Sequence, residues 1–301
     1  MRMVVLAFLA SLAVAPAAPA RAEERARTRN TSWTDMMRGP FWSSRLFATP
    51  VADTVGPYVL AISWDGSLLE EPGILSSAGV IAIGFGDLAQ LEYRHTAAIS
   101  LDQATAPVPA VGLQLEAPLP TGRGWPALAL AFRLGVPRHQ DRDGLQVDET
   151  VTDLYAMSRL HLWGPLAPVT LHAGVRLAAA TLELGGTGTG EASRRQWLPA
   201  GGVEVRVTDQ SVAIVELGLA PSFDRDGAGA PTIGAGVIGR LGSRWFLHPA
   251  FSFDISLGYQ RDDAATPSGV RSVIDWDIRL GGELFVPWGA IACRGLGAFC
   301  S

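Results

Sequence analysis

Phe251-Ser252-Phe253-Asp254-Ile255-Ser256-Leu257-Gly258-Tyr259-Gln260 alternates without a fault: every odd position is apolar or aromatic, and every even one is Ser, Asp, Gly or Gln. A period of two is that of a β-strand, whose side chains point alternately to its two faces. The next run repeats it, with Ile274, Trp276, Ile278, Leu280, Leu284 and Val286 against Asp275, Asp277, Arg279, Gly281 and Glu283. Upstream, Leu128, Leu130, Phe132 and Leu134 oppose Ala129, Ala131, Arg133 and Gly135, and Val169, Leu171, Ala173, Val175 and Leu177 oppose Thr170, His172, Gly174 and Arg176. Helical spacing accounts for none of these runs.

Such runs predict about twelve strands, an even number, near 57–65, 78–86, 89–97, 109–118, 127–136, 153–163, 167–178, 201–208, 211–220, 231–241, 246–260 and 270–286. Short links such as Gly86-Asp87-Leu88, Gly164-Pro165-Leu166, Asp209-Gln210 and Gly242-Ser243-Arg244 alternate with long, polar Gly/Asp/Arg-rich ones. Bacterial outer-membrane barrels have this asymmetry, with the short turns periplasmic. A soluble barrel would set Lys, Glu and Thr opposite its apolar face. Here the second face is Gly, Ala and Ser with isolated charges, which suits a crowded lumen. Tyr58, Trp64, Trp125, Trp163, Trp197, Trp245, Tyr259 and Trp288 fall at or near strand ends, where amphipathic rings settle at membrane interfaces. The expected fold is all-β, a transmembrane antiparallel β-barrel of about twelve strands, of the outer-membrane type.

Composition agrees. The 301 residues are 48% hydrophobic and 18% charged, which excludes a disordered or fibrous chain. Net charge is −5, and all 24 basic residues are Arg and scattered, so no field exists to hold a nucleic acid. The expected partners are outer-membrane lipid and lipopolysaccharide, the barrel assembly machinery and a small-molecule solute; no cofactor or metal is expected.

Met1-Arg2, the apolar run Val4 to Val14 and Ala20-Arg21-Ala22 read as a signal peptide over residues 1–22. Residues 23–56, with Arg25, Arg27 and Arg29 ahead of Trp33 and Phe41-Trp42, form an N-terminal segment that either enters the lumen as a plug or hangs in the periplasm; the periplasmic reading is favoured. Residues 57–286 are the barrel. In the tail, 287–301, Cys293 and Cys300 are expected to close a small disulfide loop, metal binding by two Cys alone being the weaker use. The chain continues past Val286 instead of ending on a strand aromatic, an unusual finish for such a barrel.

Alternation places Gln90, Glu92 and Arg94, Gln114 and Glu116, Arg133, His172 and Arg176, Glu204 and Arg206, Asp254, and Asp275, Asp277, Arg279 and Glu283 on the inward face. Ion pairs bridging adjacent strands are the favoured use of these mixed charges, and a solute-selecting polar path is the other. Catalysis has little to stand on. His95, His139, His161 and His172 offer bases and Ser158 and Ser256 hydroxyls, but His161 and Ser158, three apart in a strand, face opposite sides. Asp141-Arg142-Asp143-Gly144 recurs as Asp224-Arg225-Asp226-Gly227; each reads as a polar turn before a calcium loop, for want of further oxygen ligands. Gly185 to Gly190 reads as a surface loop, since no Lys follows it.

Gly86-Asp87-Leu88 leading into Glu92-Tyr93-Arg94, then a strand ending in Pro118-Leu119-Pro120-Thr121-Gly122, resembles the outer-membrane barrel family named for the meta-pathway of phenol degradation. Val215-Glu216-Leu217, Gly234-Ala235-Gly236 and Asp254-Ile255-Ser256-Leu257-Gly258-Tyr259 are similar to the same family's second half, so the likeness spans residues 78–286. It implies a barrel, and a channel or transporter for small, hydrophobic or aromatic molecules. The reading from another class is a non-transporting barrel that serves the envelope as structure or binds a partner; an outer-membrane hydrolase ranks behind both.

Overall fold

The computed structural model describes residues 43–56, 58–67, 74–85, 88–100, 108–117, 127–135, 137–142, 144–163, 168–186, 189–260 and 276–296. Strand segments β1 Leu60–Ser67, β2 Ile74–Phe85, β3 Ala89–Ser100, β4 Val108–Glu116, β5 Ala127–Gly135 and β6 Arg138–Arg142 come first. They are followed by β7 Leu145–Trp163, β8 Pro168–Gly186, β9 Gly190–Thr208, β10 Ser211–Arg225, β11 Pro231–His248, β12 Phe251–Gln260 and β13 Trp276–Val286. All pair antiparallel with their neighbours, and β1 closes on β13 with Leu60 opposite Val286 and Ser67 opposite Arg279.

β5 and β6 both pair with β7 and form one stave, so the closed barrel has twelve. Leu134 faces Thr152 while Arg138 faces Glu149, so four steps on one strand meet three on the other. The mismatch is that of a bulge, next to Pro137, which has no N–H to give the ladder.

Ile62, Trp64, Ile81, Leu91, Tyr93, Val111, Leu113, Leu115, Leu128, Leu130, Phe132, Leu154, Leu217, Leu241, Ile255, Leu257, Ile278 and Leu284 are all exposed on the outer face. Their strand neighbours Ala61, Ser63, Ala82, Gln90, Glu92, Gln114, Ala129, Ala131, Tyr155, Glu216, Asp254 and Glu283 are buried. An exposed apolar band round a polar, buried interior matches a lipid surround, where burial of the outer face is left to the hydrocarbon.

Two of the expected long loops, 137–152 and 179–200, are largely strand. β7, β8 and β9 have 19 residues each, although the alternation suggested starts or ends at 153, 178 and 201. At about 3.3 Å per residue such a strand spans roughly 60 Å, about twice the hydrocarbon core. The extensions alternate with the opposite dressing: Leu145, Val147, Leu182 and Leu184 are buried inward, while Gln146 and Glu183 face out exposed. A strand that has left the lipid needs a polar outer face, so its sequence looks like loop.

The turn expected at Gly242-Ser243-Arg244 is also strand. β11 runs on to His248, and the turn falls at Pro249-Ala250. Gly242 serves packing, since a Cβ there would strike the Ile255 carbonyl oxygen.

Between β9 and β10 the ladder stops at Ala200 opposite Gly218. Beyond it β9 pairs only with β8 and β10 only with β11. Pro199 and Pro221 stand just past this point, each removing a backbone donor. The β10–β11 tip then leans onto β9: Arg194 donates to the Ile233 carbonyl at 2.6 Å and Gln196 to that of Gly234 at 2.8 Å. Phe223 and Ile233 join Leu145, Val147, Ala180, Leu182 and Leu184 in an apolar cluster at this end.

The tail opens with a helix, α1 Trp288–Leu296. Trp288 meets Tyr58 edge-on at 5.5 Å, and Gly289 N donates to the Tyr58 carbonyl at 3.1 Å, which ties the helix to the chain entering β1. Cys293 lies on α1; Cys300 lies outside the described residues.

Candidate functional site

Residues 44–55 are almost wholly buried, and they lie against inward side chains of the barrel. Within this segment Leu46 N donates to the Thr49 carbonyl (3.0 Å) and Val51 N to that of Ser44 (2.9 Å), a tight turn that points its amides outward at the wall. Glu216 of β10 receives them. Its carboxylate accepts from Phe47 N (2.8 Å), Ala48 N (3.0 Å), Thr49 N (2.9 Å) and Thr49 Oγ1 (2.6 Å). Glu216 is 2% exposed, so these donors replace its water.

The rest of the wall grips the same segment. Arg244 of β11 donates to the Leu46 carbonyl (2.6 Å) and the Arg45 carbonyl (3.3 Å) while paired with Asp254 (2.8 Å). Gln90 of β3 accepts from Val55 N and donates to Ser44 Oγ, both at 2.9 Å. Gln114 of β4 donates to the carbonyls of Val51 (2.9 Å) and Asp53 (2.8 Å). Arg133 of β5 donates to the Ala48 carbonyl (3.2 Å), and Arg159 of β7 pairs with Asp53. Thr54 approaches Glu116 at 3.4 Å. Leu46, Phe47 and Val51 pack on Ile214, and Gly202 makes room for Leu46, whose Cδ1 would lie 2.6 Å from any Cβ there.

Beside the segment the wall carries two charge groups. In one, Glu92 meets Arg94 and Arg133 at 3.3 Å each, Arg176 takes Asp153 through two bonds (2.6 and 2.9 Å), and Tyr155 lies between the guanidinium groups of Arg133 (5.3 Å) and Arg176 (5.5 Å). In the other, Asp65 of β1 reaches Arg240 of β11 at 2.9 Å and Arg279 of β13 at 3.8 Å. Gly258, opposite Arg240 in the ladder, leaves that path clear. Near the turns His172 approaches Glu204 at 3.3 Å.

Alternation thus brings Glu92, Arg94, Arg133 and Arg176 into one group, and Glu116 and Asp254 beside the segment. His172 with Glu204, and Arg279, form separate contacts, and Glu283 is buried at 2% exposure. Arg206 shares the face of Glu204 but is exposed close to the Asp209-Gln210 turn. Asp275 lies outside the described residues, as does the side chain of Asp277. Sequence reasoning missed Glu216, Arg244, Asp153, Asp65 and Arg159. Glu216 sat in plain alternation between Val215 and Leu217, and Arg244 was hidden by the false turn.

Ser158 Oγ donates to the Ala173 carbonyl (2.9 Å) and His161 pairs with Thr170 (2.9 Å), so neither takes part in a Ser–His pair among the described residues. Asp226 behaves as a turn residue, its Oδ1 accepting from Ala228 N (2.9 Å) and Ala230 N (2.8 Å).

Closed strand pairing, the apolar outer band and hairpins that are short at one end and tall at the other leave one reading. The chain is an outer-membrane β-barrel. No protein-family model and no curated protein matches it. Among solved structures the barrel is similar to the NanC porin, at 8% identity and a TM-score of 0.48, covering 75% of this chain and 98% of that one. The translocator domain of the autotransporter NalP from Neisseria meningitidis is similar at 14% identity and 0.40, covering 75% and 86%. The outer membrane protein Omp33 of Acinetobacter baumannii is similar at 9% and 0.38, covering 75% and 97%.

Proposed function

We propose that this barrel is an outer-membrane channel for small molecules, held closed by residues 44–55 of its own chain. The observation that carries the proposal is how the segment is fastened. Six strands hold it through directional hydrogen bonds and ion pairs to polar wall groups, several of them to its backbone. A permanent filling would be better served by apolar packing, because buried charges are dear to desolvate and easily re-wetted. Polar wall groups that release the segment can return to water and line a path. The resemblance to the phenol meta-pathway family supports small, hydrophobic or aromatic solutes. The rival reading is a non-transporting barrel whose segment is part of the permanent core, and the four donors converging on Glu216 are the observation in its favour.

Single-channel conductance in planar bilayers separates the two. Glu216→Gln keeps one acceptor but turns an amide NH2 towards backbone N–H donors, weakening the closed state by about 2 kcal/mol, since hydrogen bonds to charged groups are worth about 1.5–3. The full-length variant is expected to show stepwise openings that the parent rarely shows, and removal of residues 23–56 to raise them further. A heat-modifiable, folded barrel that stays silent in both forms would overturn the channel.

A further inference from the structure

The wall beside the plug carries more positive charge than its acids answer. Glu92 is shared between Arg94 and Arg133, at 3.3 Å from each, which is long for charge-assisted bonds. Arg45, on the plug, lies close enough for its charge to act on both Glu92 and Arg94. Arg176 has taken Asp153 for itself. Among the described residues this group holds four guanidinium ions, Arg45, Arg94, Arg133 and Arg176, against two carboxylates, Glu92 and Asp153.

The excess is not idle surface charge. Arg94 Nη2 and Arg45 Nε are buried and have no hydrogen-bond partner. Buried donors without partners are rare and expensive, and an ion that belongs there is a standard explanation. The group is not sealed from solvent, since the side chains of Arg94, Arg133 and Arg176 keep 18%, 11% and 12% exposure. Gly112, opposite both Glu92 and Arg133 in the ladders, contributes no side chain between them.

We infer that Arg94 and Arg133 of the wall, with Arg45 of the plug, form a binding site for a small organic carboxylate. A guanidinium presents paired N–H donors that match a carboxylate's two oxygens. The site joins wall and plug, so an occupant bridges them and stabilises the closed barrel. The inference deepens the proposed channel by naming its solute class and rests on that reading for its biological sense, but binding is an equilibrium property of the closed state.

Titration calorimetry and thermal unfolding of the folded full-length protein in neutral detergent at low salt provide the test. Sodium benzoate and sodium acetate are the carboxylate probes, sodium chloride the simple anion and benzyl alcohol the neutral analogue. Saturable binding of benzoate in the millimolar range is expected, with a rise in unfolding temperature that chloride and benzyl alcohol do not give. Arg94→Gln should weaken binding at least tenfold, Arg94→Lys less, and Arg206→Gln, at the exposed turn end, not at all. Heat-modifiability of each variant on gels checks that it is folded. Equal responses to chloride and benzoate, or unchanged benzoate binding in folded Arg94→Gln, would overturn the site. Failure of the channel shows instead as silence in bilayers, with binding intact.

Discussion

The two ends of this barrel are filled by opposite means. At the turn end a separate stretch of chain, residues 44–55, is held by Glu216, Arg244, Gln90 and Gln114 through hydrogen bonds of fixed direction. At the tall end the wall's own Leu145, Val147, Leu182 and Leu184 meet Phe223 and Ile233 in an apolar cluster. Apolar contact is non-directional and survives small shifts, whereas a polar latch is lost when its geometry is lost. The difference teaches where motion is built in. In the proposed channel the turn end releases its filling as a unit, while the tall end is a scaffold.

Substitutions can break that contrast. The largest effect is expected from Arg244→Ala, which strands the buried Asp254 carboxylate and frees two plug carbonyls. Breaking such a buried pair costs about 3–5 kcal/mol, and here the loss should appear both as a lowered unfolding temperature and as frequent channel openings. Leu182→Ala comes next. Deleting a fully buried Leu side chain costs about 2–5 kcal/mol, and because Leu182 is 1% exposed in the tall-end cluster, stability should fall while conductance stays as in the parent. Openings matching those of Arg244→Ala would show that the two ends are one unit. The smallest effect is that of Asp226→Ala, which removes the cap of the β10–β11 tip. A loss of about 1 kcal/mol should be confined to faster proteolysis near residues 226–230, with the remaining barrel still protected.

The fold was legible wherever lipid imposes its rule. Leu128 to Leu134 and Phe251 to Tyr259 had to be apolar outside and small or polar inside, so alternation found those strands and their inward faces. Legibility ended where the surround changed. Above the membrane the outer face of β7 to β9 turns polar, and Gln146 and Glu183 read as loop although Leu145 and Leu182 kept the strand's period. Gly242 imitated a turn because a glycine needed for close packing carries the same letter as one needed for a bend. The contacts of the site were hidden for a further reason. Glu216, Gln114 and Arg133 are given meaning by the plug, and no local pattern in residues 44–55 tells which strands a segment distant in sequence will touch.

One detail of connectivity sets how the plug behaves in time. The segment leaves the lumen at Gly56, and only residues 57–59 separate it from β1, with Tyr58 N bonded to the Gly84 carbonyl (3.1 Å) and Gly84 N to that of Val59 (3.0 Å). Three residues reach about 10 Å when extended. The plug is therefore a ligand on a very short tether, present at its site at an effective concentration of millimolar order or above. In the proposed channel, reclosure is intramolecular and indifferent to dilution, and a competitor arriving from solution must displace a rival that never diffuses away.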